Sequence, residues 1–135
     1  MRKVCVVITA RPSYSRIKTA VQAIHRHPDL ELQLVVAASA LLDRYGTAVQ
    51  VIEDDGLPIT ARVHMVLEGG HLGAMAKTAG IGLMELSTVF DNLQPDVVVS
   101  VADRFETMAT AVAASRRRSM GVVPAWLAVP ITSPR

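Results

Sequence analysis

Cysteine is almost absent. Cys5 stands alone in a chain of 135 residues, which excludes a disulfide framework and a multi-cysteine zinc site. Aromatic residues make up only 4%, too few for a base-stacking platform that grips single-stranded nucleic acid. Charge is also sparse. The formal net charge of +2 does not demand a polyanion partner, and among 14 basic residues only Lys3, Lys18 and Lys77 are lysines. No apolar stretch approaches the ~18 residues of a membrane-spanning helix. The run that follows Arg2 and Lys3, from Val4 to Ile8, is too short for a signal-peptide core, and no small-residue cleavage site comes after it. These absences predict a soluble cytoplasmic protein without a nucleic-acid or membrane partner.

What remains is a chain that is 50% hydrophobic and 19% charged, enough to build one core of domain size. Val4-Cys5-Val6-Val7-Ile8 is an unbroken β-branched run, the pattern of a strand buried on both faces. Thr9 to Ser13 interrupts it. A helix is predicted from Tyr14 to His27, with Ser13 as its N-cap and Ile17, Ala20, Val21 and Ile24 on one face. Leu32 to Ala38 reads as a second buried strand, which completes a β-α-β unit. A short helix over Val49 to Glu53 and a strand over Ile59 to Val66 follow. A long helix then runs to Leu93, with Leu72, Met75, Ala76, Ala79, Leu83, Leu86, Phe90 and Leu93 as its inner stripe. Val97 to Val101 is a strand, Asp103 opens a helix to about Arg117, and Gly121 to Val129 is apolar enough for a fifth strand.

This alternation predicts one α/β domain over residues 1–135, an open, doubly wound, mostly parallel sheet of the Rossmann-like kind with Val4 to Ile8 at its centre. In such sheets ligands bind at the carboxyl ends of the strands. Attention therefore falls on the loops after the first and fourth strands.

The first loop, Thr9 to Ser15, lacks both the G-x-G-x-x-G fingerprint and the P-loop pattern, so nothing points to NAD or ATP, and no cofactor is expected. It places Arg11 and two hydroxyls at a helix amino end, where free N–H groups favour an anion and a guanidinium fork suits phosphate. The same residues also fit a solvated arginine beside an ordinary serine cap. The second loop carries Asp103-Arg104-Phe105-Glu106. Asp103 and Glu106 have capping-box spacing. Alternatively, a carboxylate and an arginine at a strand's carboxyl end can move a proton and hold phosphate. His25, His27, His64 and His71 show no metal-binding spacing; His25 and His27 suit a solvated helix end and His64 a structural place in a strand. Arg116 to Arg118 suit a helix carboxyl end.

Taken together, Val7-Ile8-Thr9-Ala10-Arg11-Pro12-Ser13-Tyr14-Ser15, Ser39 to Gly46, Gln94-Pro95-Asp96-Val97-Val98-Val99 and Ala102-Asp103-Arg104-Phe105-Glu106-Thr107 resemble the UDP-N-acetylglucosamine 2-epimerase family. The likeness is closest to its hydrolysing branch, which makes N-acetylmannosamine for sialic and related nonulosonic acids. It runs over about residues 3 to 115. It implies one half of a glycosyltransferase-B-type architecture, in which two Rossmann-like domains enclose a UDP-sugar. It also implies nucleotide contacts from Arg11 and Ser15, and a place in the same cleft for Asp103 and Arg104. Asp103 becomes a candidate acid or base for eliminating UDP and hydrating the resulting glycal. UDP-GlcNAc or a related UDP-sugar is the implied ligand, and a homo-oligomer is possible.

The chain departs from the family pattern at Val101-Ala102, where many relatives have His-Gly. After Ser115 it departs more widely. No Asp, Glu or His follows Glu106. Residues 116–135 therefore read as an atypical tail, from a frameshifted or truncated frame. Two alternatives stand beside an active epimerase: a catalytically incomplete UDP-sugar-binding fragment, and a flavodoxin-like regulatory domain. The second expects acids after the first strand, where Thr9, Ala10 and Arg11 stand.

Overall fold

The computed structural model describes residues 1–9, 11–37, 48–64, 72–100, 110, 112–113 and 121–124. They form strand β1 (Arg2–Ile8), helix α1 (Arg11–Arg26), β2 (Leu30–Ala37), α2 (Ala48–Asp54), β3 (Ala61–Val63), α3 (Leu72–Leu93), β4 (Val97–Ser100) and β5 (Gly121–Pro124). The strands make one sheet in the order β3-β2-β1-β4-β5, and all its pairings are parallel. β1 is the central strand. It pairs with β2 from Arg2↔Leu30 to Ile8↔Val36, and with β4 from Val4↔Val97 to Val7↔Ser100. The chain builds outward from β1 through β2 to β3, then returns across the sheet to β4. The order therefore reverses between β1 and β4, as expected of a doubly wound sheet.

Alternation along the strands splits the core into two layers. Val4, Val6 and Ile8 of β1 join Leu34 and Val36 of β2 beneath Tyr14, Ile17 and Val21 of α1 and Ala48 and Ile52 of α2. Cys5 and Val7 join Val35, Ala37, Val63 and Val98 beneath Leu86 and Phe90 of α3, with Ala113 on the same side. Cys5, Val6, Val7 and Ile8 are all at most 1% exposed. That explains why β1 has no polar alternation: both its faces are covered. Full burial of each such valine or isoleucine is worth about 1.5–3 kcal/mol.

Three local predictions need correction. Helix α1 begins at Arg11, before the expected start, so Ser13 is not its N-cap but a buried residue inside the first turn. Pro12 explains the earlier start, since its missing N–H costs nothing in a first turn and its fixed φ suits a helix. In α3 the buried residues are Ala74, Thr78, Gly82, Leu86 and Phe90, while Leu72 is 82% exposed. The predicted stripe holds at Leu86 and Phe90, with Leu83 and Leu93 packed against the same layer, and fails over the first half, where Leu72 and Ala76 are exposed and the helix turns Ala74, Thr78 and Gly82 inward. β3 begins only at Ala61, because Thr60 donates its N–H to the Leu34 carbonyl (2.8 Å) and accepts the Leu34 N–H on its hydroxyl (3.0 Å). His64 follows β3 and is exposed rather than held within a strand.

Helix ends are closed by local geometry. At the end of α2, Leu57 N–H bonds the Ile52 carbonyl (3.3 Å) and Gly56 N–H the Glu53 carbonyl (2.9 Å), which is a Schellman motif with Gly56 at φ +77°. Ile52 and Leu57 are both buried beneath it. At the end of α3, Gln94 takes φ 50°, its N–H bonds the Phe90 carbonyl (2.9 Å), and its side-chain amide donates to the Asp91 carbonyl (2.7 Å). Gln33, from the buried surface of β2, donates to the Leu93 carbonyl (2.9 Å). Among the described residues no helix is long and apolar enough to cross a membrane. Of the predicted helix from Asp103 to Arg117, Thr110, Val112 and Ala113 are described and are helical. The predicted strand from Gly121 to Val129 is described over Gly121–Pro124.

Candidate functional site

The carboxyl ends of β1 and β4 lie side by side at the point where strand order reverses. There Thr9 ends the run of β1 at 2% exposure, and α1 begins two residues later at Arg11. So short a connection sets the amino end of α1 against the carboxyl end of the central strand. The first N–H groups of a helix have no partner within it and carry partial positive charge. The first turn of α1 contains no acidic residue to occupy them. Ser13 and Tyr14 turn into the core, at 0% and 1% exposure, while Pro12 and Ser15 face outward.

Ser100, across from Val7, closes β4 at 2% exposure. Its hydroxyl has no hydrogen-bond partner among the described residues. A buried polar atom in that state is rare in a folded protein. It marks the carboxyl end of β4 as a polar place beside that of β1.

Of the residues singled out in the sequence, Ser15 is placed on the exposed side of α1's opening turns, and Arg11 is the first residue of that helix. Asp103 and Arg104 lie outside the described residues, as do Phe105 and Glu106. Asp103 follows Ser100 by three residues in the sequence. Because β1 and β4 are parallel neighbours, the chain leaves both at the same edge of the sheet.

Sequence reading missed a polar tie beneath this edge. The Tyr14 hydroxyl donates to Oδ2 of Asp55 at 2.5 Å, and Lys18 Nζ lies 3.1 Å from the same oxygen. Tyr14 and Lys18 are one helical turn apart, so both reach one carboxylate. Burial, and then the bond to Asp55, push the Tyr14 phenol above its ordinary value. The bonds from Tyr14 and then Lys18 hold the Asp55 carboxyl below the usual carboxylate range. The phenol thus stays a donor and the carboxylate an acceptor. Read alone, Asp54-Asp55-Gly56 signals only a turn; nothing in that tripeptide names a partner 41 residues away. Cys5 is buried in the sheet, which pushes its thiol up to about 12.

The sequence model described as UDP-N-acetylglucosamine 2-epimerase matches residues 22–120. A UDP-N,N'-diacetylbacillosamine 2-epimerase (hydrolyzing) of Legionella pneumophila is 31% identical over 114 residues, 84% of this chain and 30% of the relative. A UDP-N-acetylglucosamine 2-epimerase of Neisseria meningitidis is 26% identical over 111 residues, 82% of this chain and 29% of the relative. Among solved structures, the Methanocaldococcus jannaschii UDP-GlcNAc 2-epimerase in complex with UDP-GlcNAc and UDP superposes with a TM-score of 0.72. It is 19% identical and aligns with 90% of this chain and 32% of its own. The chain spans less than a third of the length of these relatives.

Proposed function

Because the chain belongs to the UDP-N-acetylglucosamine 2-epimerase family, we propose that it forms the nucleotide-binding wall of a hydrolysing UDP-sugar 2-epimerase. The ligand in this reading is UDP-GlcNAc or a close UDP-2-acetamido sugar, and the reaction converts UDP-GlcNAc and water to N-acetylmannosamine and UDP. One observation carries the reading. β1 and β4 are parallel neighbours at the reversal of strand order, so the chain leaves both at one edge of the sheet, from β1 into Thr9 and from β4 at Ser100, three residues before Asp103 in the sequence.

The chemistry assigns each residue a task. A base takes the proton from the sugar C2 while the C1–O bond to UDP breaks, leaving a glycal. Water then adds across the double bond, its hydroxyl to C1 and a proton to C2. Asp103 is the candidate acid or base. Arg11 and Arg104 balance the charge that builds on the leaving diphosphate, and the amino end of α1 adds its partial positive charge. Ser15 offers a hydroxyl to the nucleotide.

The test is calorimetric titration of the purified chain with UDP. Binding that is lost in Arg11→Ala and Arg104→Ala supports the reading. Wild-type protein that binds no UDP overturns it. A second reading keeps UDP-sugar binding and removes turnover by the chain alone. The observation favouring it is that no Asp, Glu or His follows Glu106 in this sequence.

A further inference from the structure

We propose that Asp55 is a positioning residue for the amino end of α1, the anion-binding end in the reading above: acting through Tyr14 and Lys18, it fixes the opening turns that carry Arg11 and Ser15. The inference rests on the UDP-binding reading above and deepens it.

Tyr14 sits between the residues that reading uses. It is 1% exposed and belongs to the core layer between the sheet and helices α1 and α2, with Ile8, Val36 and Ile52 in the same cluster. Its hydroxyl needs an acceptor in that layer, and Asp55 supplies a charged one at 2.5 Å. Lys18 binds the same oxygen from the next turn of α1. A single carboxylate oxygen therefore fixes two successive turns of the helix, in rotation as well as in height.

The anchor itself is rigid. Asp55 N–H bonds the Val51 carbonyl at 3.0 Å, and Asp55 directly precedes Gly56 in the Schellman motif. Leu57, 4% exposed, ties that motif into the core. A charge-assisted bond to a fixed point defines position better than apolar contact, which tolerates sliding. An anion at a helix end needs such definition, because its bonds to N–H groups are short and directional.

The experiment compares wild type with Tyr14→Phe, Asp55→Ala and Asp55→Asn. Glu53→Gln serves as control, since it removes the charge only from the exposed pair between Glu53 of α2 and Arg62 of β3 (2.8 Å). UDP affinity is read by calorimetry at a temperature where circular dichroism shows each variant folded. Tyr14→Phe keeps the ring and loses only the hydroxyl. It and Asp55→Ala are expected to weaken UDP about five- to tenfold, as modest misplacement of binding groups does. Asp55→Asn retains an acceptor for the phenol and recovers most of the affinity; Glu53→Gln matches wild type. Folded variants with wild-type affinity overturn the proposal, because a merely stabilising tie moves the melting temperature and not the affinity of folded protein. If wild type itself binds no UDP, the functional reading fails separately. Hydrogen exchange then decides: the proposal expects faster exchange of amides 13–18 than of α3 in Tyr14→Phe and Asp55→Ala. Unchanged exchange there overturns it.

Discussion

Asp96 and Lys3 hold one another through reciprocal bonds. The Lys3 N–H donates to Asp96 Oδ2 at 2.8 Å, and the Asp96 N–H donates to the Lys3 carbonyl at 2.9 Å. The pair closes the amino ends of β1 and β4, one residue before their ladder starts at Val4↔Val97. It therefore stands at the edge of the sheet opposite the candidate site. Asp96→Ala is expected to destabilise the fold by about 1–2 kcal/mol, the value of one charge-assisted bond near the surface. Urea unfolding measures this. UDP affinity of the folded variant should match wild type; a loss of affinity would separate Asp96 from this purely structural role.

Glycines 80 and 56 are expected to respond to alanine in opposite directions. A Cβ at Gly80 meets nothing within 4 Å, and the residue lies mid-helix in α3. Gly80→Ala should stabilise by about 0.5–1 kcal/mol through helix propensity. A Cβ at Gly56 also meets open space, but φ +77° penalises any L side chain. Gly56→Ala should cost about 1–2 kcal/mol. Paired chemical melts test both, and a shared sign for the two changes would contradict the assignment.

Cys5 should be silent toward alkylation in native protein. It is 0% exposed, and its thiol is pushed up to about 12, so thiolate is scarce at neutral pH. Iodoacetamide followed by mass spectrometry should find no adduct until denaturant is added. Rapid labelling without denaturant would show that the central strand opens locally.

The Asp55 tie predicts an acid-side dependence of stability. The folded state holds this carboxyl below the ordinary range through Tyr14 and then Lys18. An unfolded aspartate titrates near ~3.9. The carboxylate's contribution is therefore fully present above about pH 4 and is lost as pH falls through the depressed folded value. The difference in urea midpoint between wild type and Asp55→Asn should shrink over that fall. A difference independent of pH would refute the charge-based account.

The isolated 135-residue chain is expected not to turn over UDP-GlcNAc. In the reading proposed above the chain supplies one wall of a cleft, and one wall neither excludes water nor holds the sugar in a reacting geometry. An assay for UDP release and N-acetylmannosamine formation decides this. A rate within tenfold of a typical ~10 s⁻¹ would mean that another copy or a partner completes the site.

The sheet was legible in sequence where burial alone determines residue choice. Val4 to Ile8 must be apolar on both faces to lie at the centre, and no helix of that composition competes. Boundaries were less legible where chemistry allows two starts. Ser13 is an acceptable N-cap, yet Arg11-Pro12 is equally acceptable inside a first turn, and tertiary packing of Tyr14 favours the longer helix. The face of α3 is legible at Leu86 and Phe90 but not over its first half, because side-chain size is a poor guide where a helix brings Ala74, Thr78 and Gly82 inward. The candidate loops stood out as local strings, whereas the Tyr14–Asp55 tie joins residues that meet only after α1 and α2 pack on the same layer.

The position of β4 sets a schedule for synthesis. β1 meets its β2 partner within 28 residues, as Arg2 pairs with Leu30, but its other edge waits for Val97, 93 residues after Val4. At a translation rate of about 5–20 residues per second, that edge stays open for roughly 5–20 s. Throughout, the central strand, with Cys5 to Ile8 almost wholly apolar, offers unpaired N–H and C=O groups to any extended segment nearby. The newly made amino-terminal half is thus the stage at which this protein is most exposed to aggregation, and the arrival of β4 ends it.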